Sequence, residues 1–295
     1  MEKKNFILVG IGEILWDLFP GGKKLGGAPA NFAYHAGALG GEGIVVSRVG
    51  ADEPGKEILD VLSAHGLGSR YVTMDDFYPT GSVSVVLEKG GEPDYVIHEN
   101  VAWDHMPHSE ELLTLAAGTD AVCFGTLCQR SPVSRKTIHE FLHATRPDCI
   151  RVFDINLRQS FYDKEIIEES LGSATVLKLN DKEVDIVGDV LGIDGSDSHV
   201  MGELSGRYGL ELIALTKGRN GSSLYLQEKS YDHGGFEVDV ADTVGAGDAF
   251  TAAMTLGWLR RKSPDEINEY ANRVASYVCT QAGAMPPIPE HLIGV

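Results

Sequence analysis

The chain has 295 residues, 43% of them hydrophobic, which suffices for one large α/β unit and excludes a disordered chain. Lys and Arg number 25 against 43 Asp and Glu, a formal charge of −18, so nucleic acid and anionic membranes would be repelled. An anionic ligand must therefore be gripped locally, by backbone donors, single basic residues or a metal.

The first short apolar run, residues 6–11, follows Lys3 and Lys4 and is soon interrupted by Glu13 and Asp17; it reads as a buried strand rather than a signal peptide. No apolar run approaches the ~18–20 residues that cross a bilayer, so a cytoplasmic protein is expected. Gly26-Gly-Ala-Pro-Ala-Asn31 leads into a helical stretch over 32–39. Its glycines let a ligand approach the backbone, and Asn31 either offers an amide to a hydroxyl or caps the helix. Further apolar runs at 44–49, 121–124, 150–155, 176–179 and 212–215 end near polar or glycine residues and precede helical patterns. This rhythm predicts a doubly wound, mostly parallel α/β sheet flanked by helices, with ligands beyond the carboxyl ends of its strands. Those ends carry Gly12-Glu13, Gly50, Gly125, 154–158, 180–183 and 216–218. Residues 13–19, 80–87 and 93–98 instead alternate apolar and polar, the last two around Lys89-Gly-Gly-Glu92, as a half-exposed hairpin does. They predict a small β-sheet lid, from about 13–25 and 80–103, inserted in a single domain spanning 1–295. Residues 188–198 read as a surface loop. Cys123, Cys128, Cys149 and Cys279 form no Cys-x-x-Cys pair and the ten histidines are scattered, so the thiols read as reduced and no zinc site is expected.

Four polar clusters carry the chemistry. Asp154-Ile-Asn-Leu-Arg158, if extended, sends Asp154, Asn156 and Arg158 to one side, where they suit a polyol or phosphate; an internal Asp–Arg pair is the alternative. Asn180-Asp-Lys-Glu183 puts Asn180 and Glu183 on one helical face, either to hold magnesium through water or as a capping box. Thr216-Lys-Gly-Arg-Asn-Gly221 offers a hydroxyl and basic groups to a nucleotide tail, or is a simple β-turn. Asp242-Thr-Val-Gly-Ala-Gly-Asp248 opens a helix over 249–259, so bare N–H groups of 245–248 face an anion. Asp248 beside them can take a proton from an attacking hydroxyl, or is only an acid of a helix start. Gly10-Ile-Gly12 is no dinucleotide fingerprint, because Leu15 occupies the third glycine position, and no P-loop or nucleophile elbow occurs.

The two glycine clusters in this order, with Gly40, Gly50, Asn180-x-x-Glu183, Thr216-x-Gly218 and Gly283-Ala-Met-Pro286, resemble the ribokinase-like (PfkB) carbohydrate kinases over nearly the whole chain. The resemblance implies that Asp248 is the catalytic base and that the amides of Gly245, Ala246 and Gly247 form an anion hole. Asp17, Gly26, Gly27, Asn31 and Arg158 would bind the sugar. Asn180 and Glu183 would organise Mg2+ and the ATP phosphates, with Thr216, Lys217, Gly218 and Asn272 along the nucleotide. In many relatives a monovalent cation such as K+ lies near the loops of Asp242 and Gly283. Lys217 departs from the apolar residue common at its position, so either phosphate or solvent is its neighbour. Within the family, Gly-Glu-Ile-Leu-Trp-Asp17, Val101-Ala-Trp103, Asp154-Ile-Asn-Leu-Arg158 and Gly-Ala-Met-Pro-Pro-Ile-Pro289 look most like bacterial fructokinases. D-fructose, converted to fructose 6-phosphate, is the implied acceptor, with Trp103 either closing on the sugar or packing lid against core. A kinase for 2-keto-3-deoxygluconate, ribose or a nucleoside is the alternative, and a non-catalytic sugar sensor a remoter one. The implied partners are a sugar and ATP, with a homodimer formed through the lid.

Overall fold

The computed structural model describes residues 5–19, 21–87, 93–227 and 229–294. Lys3, Lys4 and the turn expected at Lys89-Gly-Gly-Glu92 lie outside the described residues. In chain order the elements are β1 (Ile7–Ile11), β2 (Leu15–Phe19), β3 (Gly22–Gly26), α1 (Ala28–Ala38), β4 (Glu42–Gly50), α2 (Glu53–Ala64), β5 (Val72–Asp75), β6 (Ser82–Leu87) and β7 (Pro93–Ile97). There follow α3 (Glu110–Gly118), β8 (Ala121–Phe124), α4 (Pro132–Ala144), β9 (Ile150–Asp154), α5 (Lys164–Ser173), β10 (Val176–Asn180), α6 (Asp181–Leu191) and α7 (Asp197–Tyr208). The last are β11 (Leu212–Thr216), β12 (Ser222–Leu226), β13 (Lys229–His233), α8 (Ala246–Leu259) and α9 (Pro264–Cys279).

All six apolar runs become strands of one large sheet, in the order β13-β12-β11-β10-β9-β8-β1-β4-β5. Pairing is parallel from β11 through to β5, while β12 and β13 add an antiparallel edge that the sequence pattern did not announce. Strand alternation splits the apolar side chains between the two faces. Val9, Ile11, Val122 and Phe124 join the core under α3 to α7, whereas Leu8, Cys123 and Val152 meet α1, α8 and α9. Two glycines let α1 lie directly on the sheet: a β-carbon on Gly10 would stand 1.9 Å from the Pro29 carbonyl oxygen, and one on Gly43 would stand 1.8 Å from that of Ala33.

The smaller sheet has the order β3-β2-β6-β7, with β2 parallel to β6 and Asp17 opposite Lys24 on β3. It is built from the segments expected to form the lid. Two local expectations are corrected. Residues 188–198 are not one loop: α6 runs to Leu191 and is closed by Gly192 at φ 65°, and the Ser196 side chain caps α7. Their Gly, Asp and Ser content is capping chemistry. Helix α1 begins at Ala28 rather than 32, with Pro29 in its first turn and the Asn31 N–H already bonded to the Gly27 carbonyl (3.0 Å), so Asn31 does not cap it. Among the described residues, no helix is long and apolar enough to cross a membrane.

Candidate active site

A cleft of about 2190 Å³ runs along the carboxyl end of the large sheet and under the small one. The strand ends after β1, β9, β10 and β11 line it, as do Leu15, Asp17, Val83 and Ile97 of the small sheet; Gly50 and Gly125 do not.

At its centre is the start of α8. Gly245 adopts φ 79°, and a β-carbon there would stand 2.6 Å from the Ala284 carbonyl oxygen, so both conformation and space demand glycine. No side chain caps α8; the Ala246 amide bonds the Thr243 carbonyl oxygen at 3.3 Å, and Gly245, Ala246 and Gly247 line the cleft. Asp248 is therefore no cap. Its Oδ2 accepts a hydrogen bond from Asn31 Nδ2 at 2.7 Å, and burial, reinforced by the charge of Asp154, pushes its pKa up to about 6.

Behind this turn lies a cation that sequence reasoning missed. Lys178 Nζ is 3.4 Å from where a β-carbon of Gly247 would be, and it pairs with Asp154 Oδ1 at 3.0 Å. Thr251 donates to the other Asp154 oxygen at 2.9 Å. Burial works against the charge on Lys178, yet Asp154 and Glu183 carry its pKa above the ordinary value, so it stays cationic. The available signal was a lone lysine inside the apolar run 176–179.

On the acceptor side, Gly26, Gly27, Asn31, Asp17 and Arg158 all line the cleft. Burial raises the pKa of Asp17 to about 6, against the opposing pull of Arg158 and Lys24. Two readings of residues 154–158 fall. Asp154 pairs with Lys178 rather than Arg158, and the run is not extended, because Asn156 takes φ 45° and breaks the alternation. Asn156 and Arg158 still reach the cleft, while Asp154 does not line it. Trp103 is also corrected: it is fully buried beneath Gly81, its ring 4.1 Å from the Arg130 guanidinium, and it does not line the cleft. It packs the small sheet onto the core.

On the opposite side, Asn180, Thr216, Gly218 and Asn272 line the cleft, together with the irregular residues Phe236, Val238 and Val240. Asn180 and Glu183 form a full capping box, with Asn180 Oδ1 accepting from the amides of Lys182 and Glu183. One Glu183 oxygen accepts from the Asn180 amide (2.8 Å) and the other from that of Leu157 (2.9 Å), tying the β10 and β9 ends together. Lys217 points away from the cleft, its Nζ bonded to Ser223 Oγ at 2.6 Å and 3.9 Å from Asp232. Ser223 and Asp232 of the β12–β13 hairpin hold this cation, which is neither aimed at the cleft nor fully in solvent.

Asp242 and Gly283 meet, but outside the cleft lining: Asp242 Oδ2 accepts from the Gly283 amide (3.1 Å) and from Lys24 Nζ (3.0 Å). Helix α1 holds the same closing loop. His35 Nε2 is 2.8 Å from the Ala284 carbonyl oxygen, and Tyr34 Oη donates to that of Pro286 at 3.0 Å. Burial lowers the His35 pKa to about 4, so the ring is neutral and Nε2 carries the donated proton.

Comparison with known proteins assigns the chain to a family. The sequence matches the profile of the pfkB family carbohydrate kinase over residues 20–291. A sugar kinase of Pyrococcus horikoshii is 30% identical over 270 residues, covering 89% of this chain and 83% of its own. Its structure in complex with ATP superposes with a TM-score of 0.81 at 29% identity, over 95% of this chain and 94% of that one. A fructokinase of Klebsiella pneumoniae is 28% identical over 299 residues, 95% of each chain. The fold of the ATP-bound fructokinase of Xylella fastidiosa matches with a TM-score of 0.85 at 21% identity, over 97% and 96% of the two chains. With the family profile matched over residues 20–291, this chain belongs to the pfkB family of carbohydrate kinases.

Proposed function

We propose that the protein transfers the γ-phosphoryl group of ATP to the primary hydroxyl of D-fructose, giving fructose 6-phosphate. The observation that carries this reading is the hydrogen bond from Asn31 of α1 to Asp248 at the uncapped start of α8, which brings acceptor anchor, base and anion hole together. Asp248 takes the proton from the attacking hydroxyl as the oxygen attacks phosphorus in line. The amides of Gly245, Ala246 and Gly247, with Lys178 behind them, stabilise the charge on the transferring oxygens. Asp17, Asn31 and Arg158 orient the sugar, and Asn180, Thr216, Gly218 and Asn272 lie along ATP. Asp17, Asp248 and the single guanidinium of Arg158 favour an uncharged polyol over an acidic sugar.

Among the described residues, no group of three or more His, Cys, Asp or Glu is arranged to hold a metal ion. That composition suits magnesium carried on the nucleotide phosphates with few protein ligands, to which it supplies charge neutralisation. Glu183, with both oxygens engaged by amides, would act by fixing Asn180 rather than by direct ligation. A monovalent cation at Asp242 would compete there with Lys24. The small sheet exposes Leu18 and Val96, and we assign a homodimer to that face; a concentration-independent monomer in sedimentation refutes it. The substrate reading is tested by a sugar panel in a coupled ADP-release assay, with and without potassium. Fructose is expected to lead in kcat/KM, and ribose or 2-keto-3-deoxygluconate leading would overturn it.

A further inference from the structure

Among the described residues lining the cleft, two buried side chains keep a polar atom without a hydrogen-bond partner: Glu13 at Oε2 and Asn31 at Oδ1. Glu13 is 4% exposed, directly after β1, and its backbone is pressed against the start of α1, since a β-carbon on Gly27 would stand 2.4 Å from the Glu13 carbonyl oxygen. Burying a carboxyl with a free oxygen is costly, and such a group persists where a ligand supplies the missing partner. In the sequence Glu13 stood out only by its place at a strand end and within the Gly12 to Asp17 stretch, with no role of its own.

Resting on the sugar-kinase reading, we propose that Glu13 is a sugar-binding and specificity-determining residue, whose Oε2 engages a hydroxyl of an uncharged polyol beside Asp248. The charged groups acting on it are Arg158 after β9, Arg130 after β8 and Asp248 at the start of α8; the buried Cys128 thiol lies within its field. Burial first, and then Asp248, push its pKa up to about 7 against the pull of its own backbone amide, Arg158 and Arg130. Near neutrality the protonated carboxyl donates to the sugar. Once ionised it can only accept, and it adds a second negative charge near Asp248. Sugar affinity therefore falls as pH rises through about 7, and an acceptor carrying its own phosphate or carboxylate is rejected at every pH where Asp17 and Asp248 are ionised.

The test is direct fructose binding by calorimetry on the full chain, alongside steady-state kinetics and thermal melting. Glu13→Ala is expected to weaken fructose binding and raise its KM by at least ~10-fold, the scale of one buried hydrogen bond to an acid, with the ATP KM moved less than about twofold. Its melting temperature should not fall, because a desolvated acid is removed. Glu13→Gln should lose the inflection near pH 7. Unchanged fructose affinity in Glu13→Ala, an equal shift in both KM values, or an intact inflection in Glu13→Gln overturns the proposal. So does failure of every neutral sugar in the panel to bind. Glu13-dependent fructose binding without turnover would sustain Glu13 and sink the kinase mechanism.

Discussion

Two buried polar groups at the carboxyl end of the large sheet are built in opposite ways. Around Lys178, both Asp154 oxygens are engaged, one by the ammonium and one by Thr251. Around Glu13, Asp17 and Asp248, three acids share a pocket in which burial raises every one of their pKa values and one Glu13 oxygen has no partner. In the first group both carboxylate oxygens are satisfied, and Lys178 still lines the cleft beside the start of α8. The second is incomplete until something with hydroxyl groups enters. Within the cleft lining, the carboxyl oxygen left without a partner is the one we assign to the ligand.

The largest effect that tests this contrast is on chemistry. Asp248→Asn should lower turnover at least ~100-fold, the low end for loss of a general base, while fructose binding survives because Asn31 still has an acceptor. Near-normal turnover in the folded variant would remove Asp248 from the reaction. Since the base must be ionised, kcat/KM of the parent protein should also fall as pH drops through about 6.

Next comes stability. Lys178→Met strips a buried carboxylate of its partner and should cost about 3 kcal/mol in denaturant unfolding, within the range for broken buried pairs. An unchanged midpoint would mean that the Asp154 cluster is not scaffold. The acid pocket should respond with the opposite sign. The folded pKa of Glu13, about 7, lies above its ordinary 4.5, so the folded state holds the proton longer. Stability should decline as pH rises from about 4.5 to 7, by about 3 kcal/mol from this group alone at 1.36 kcal/mol per unit. Glu13→Gln should flatten that decline; melting curves across pH 5–8 that match the parent's would contradict it. His35 works the other way: with its pKa lowered to about 4, stability is lost as pH falls below about 6.5.

The smallest effect concerns the half-exposed Lys24–Asp242 pair, whose removal in Lys24→Ala should change stability by less than ~1 kcal/mol, as surface pairs do. Its sharper readout is potassium. Turnover of Lys24→Ala should depend more strongly on the added cation than that of the parent, and an identical potassium response would show that Lys24 does not occupy that carboxylate.

Much of this was legible in the chain because it depends on local pattern. Buried parallel strands need short apolar runs, and helix starts that receive anions need glycine, so both were visible at 121–124 and at Gly245 to Asp248. The Lys178–Asp154 pair was hidden because each member looks anomalous alone, and only the neighbouring register of β9 and β10, Lys178 opposite Asp154, explains both. Asn156 escaped because alternation assumes a strand, and a left-handed residue ends it. Trp103 and Lys217 were left undecided for a related reason: both lie in segments that border the site, and which way a side chain points from such a segment is decided by its packing partners. The hairpin of β12 and β13 was missed because β12 is only five residues opening on two serines, and Lys, Ser, Asp and His fill the outer strand β13, as suits an exposed sheet edge.

The contacts of α1 with the far end of the chain have a consequence for folding. Asn31–Asp248, Tyr34–Pro286 and His35–Ala284 join residues 217, 252 and 249 positions apart. Closing loops of that length is entropically late, whereas strand pairs such as β8 with β9 close over far shorter spans. Catalytic competence is thus the final product of folding. On refolding, recovered activity should lag behind recovered sheet signal, and on the ribosome the anion hole cannot be finished until almost the whole chain has emerged.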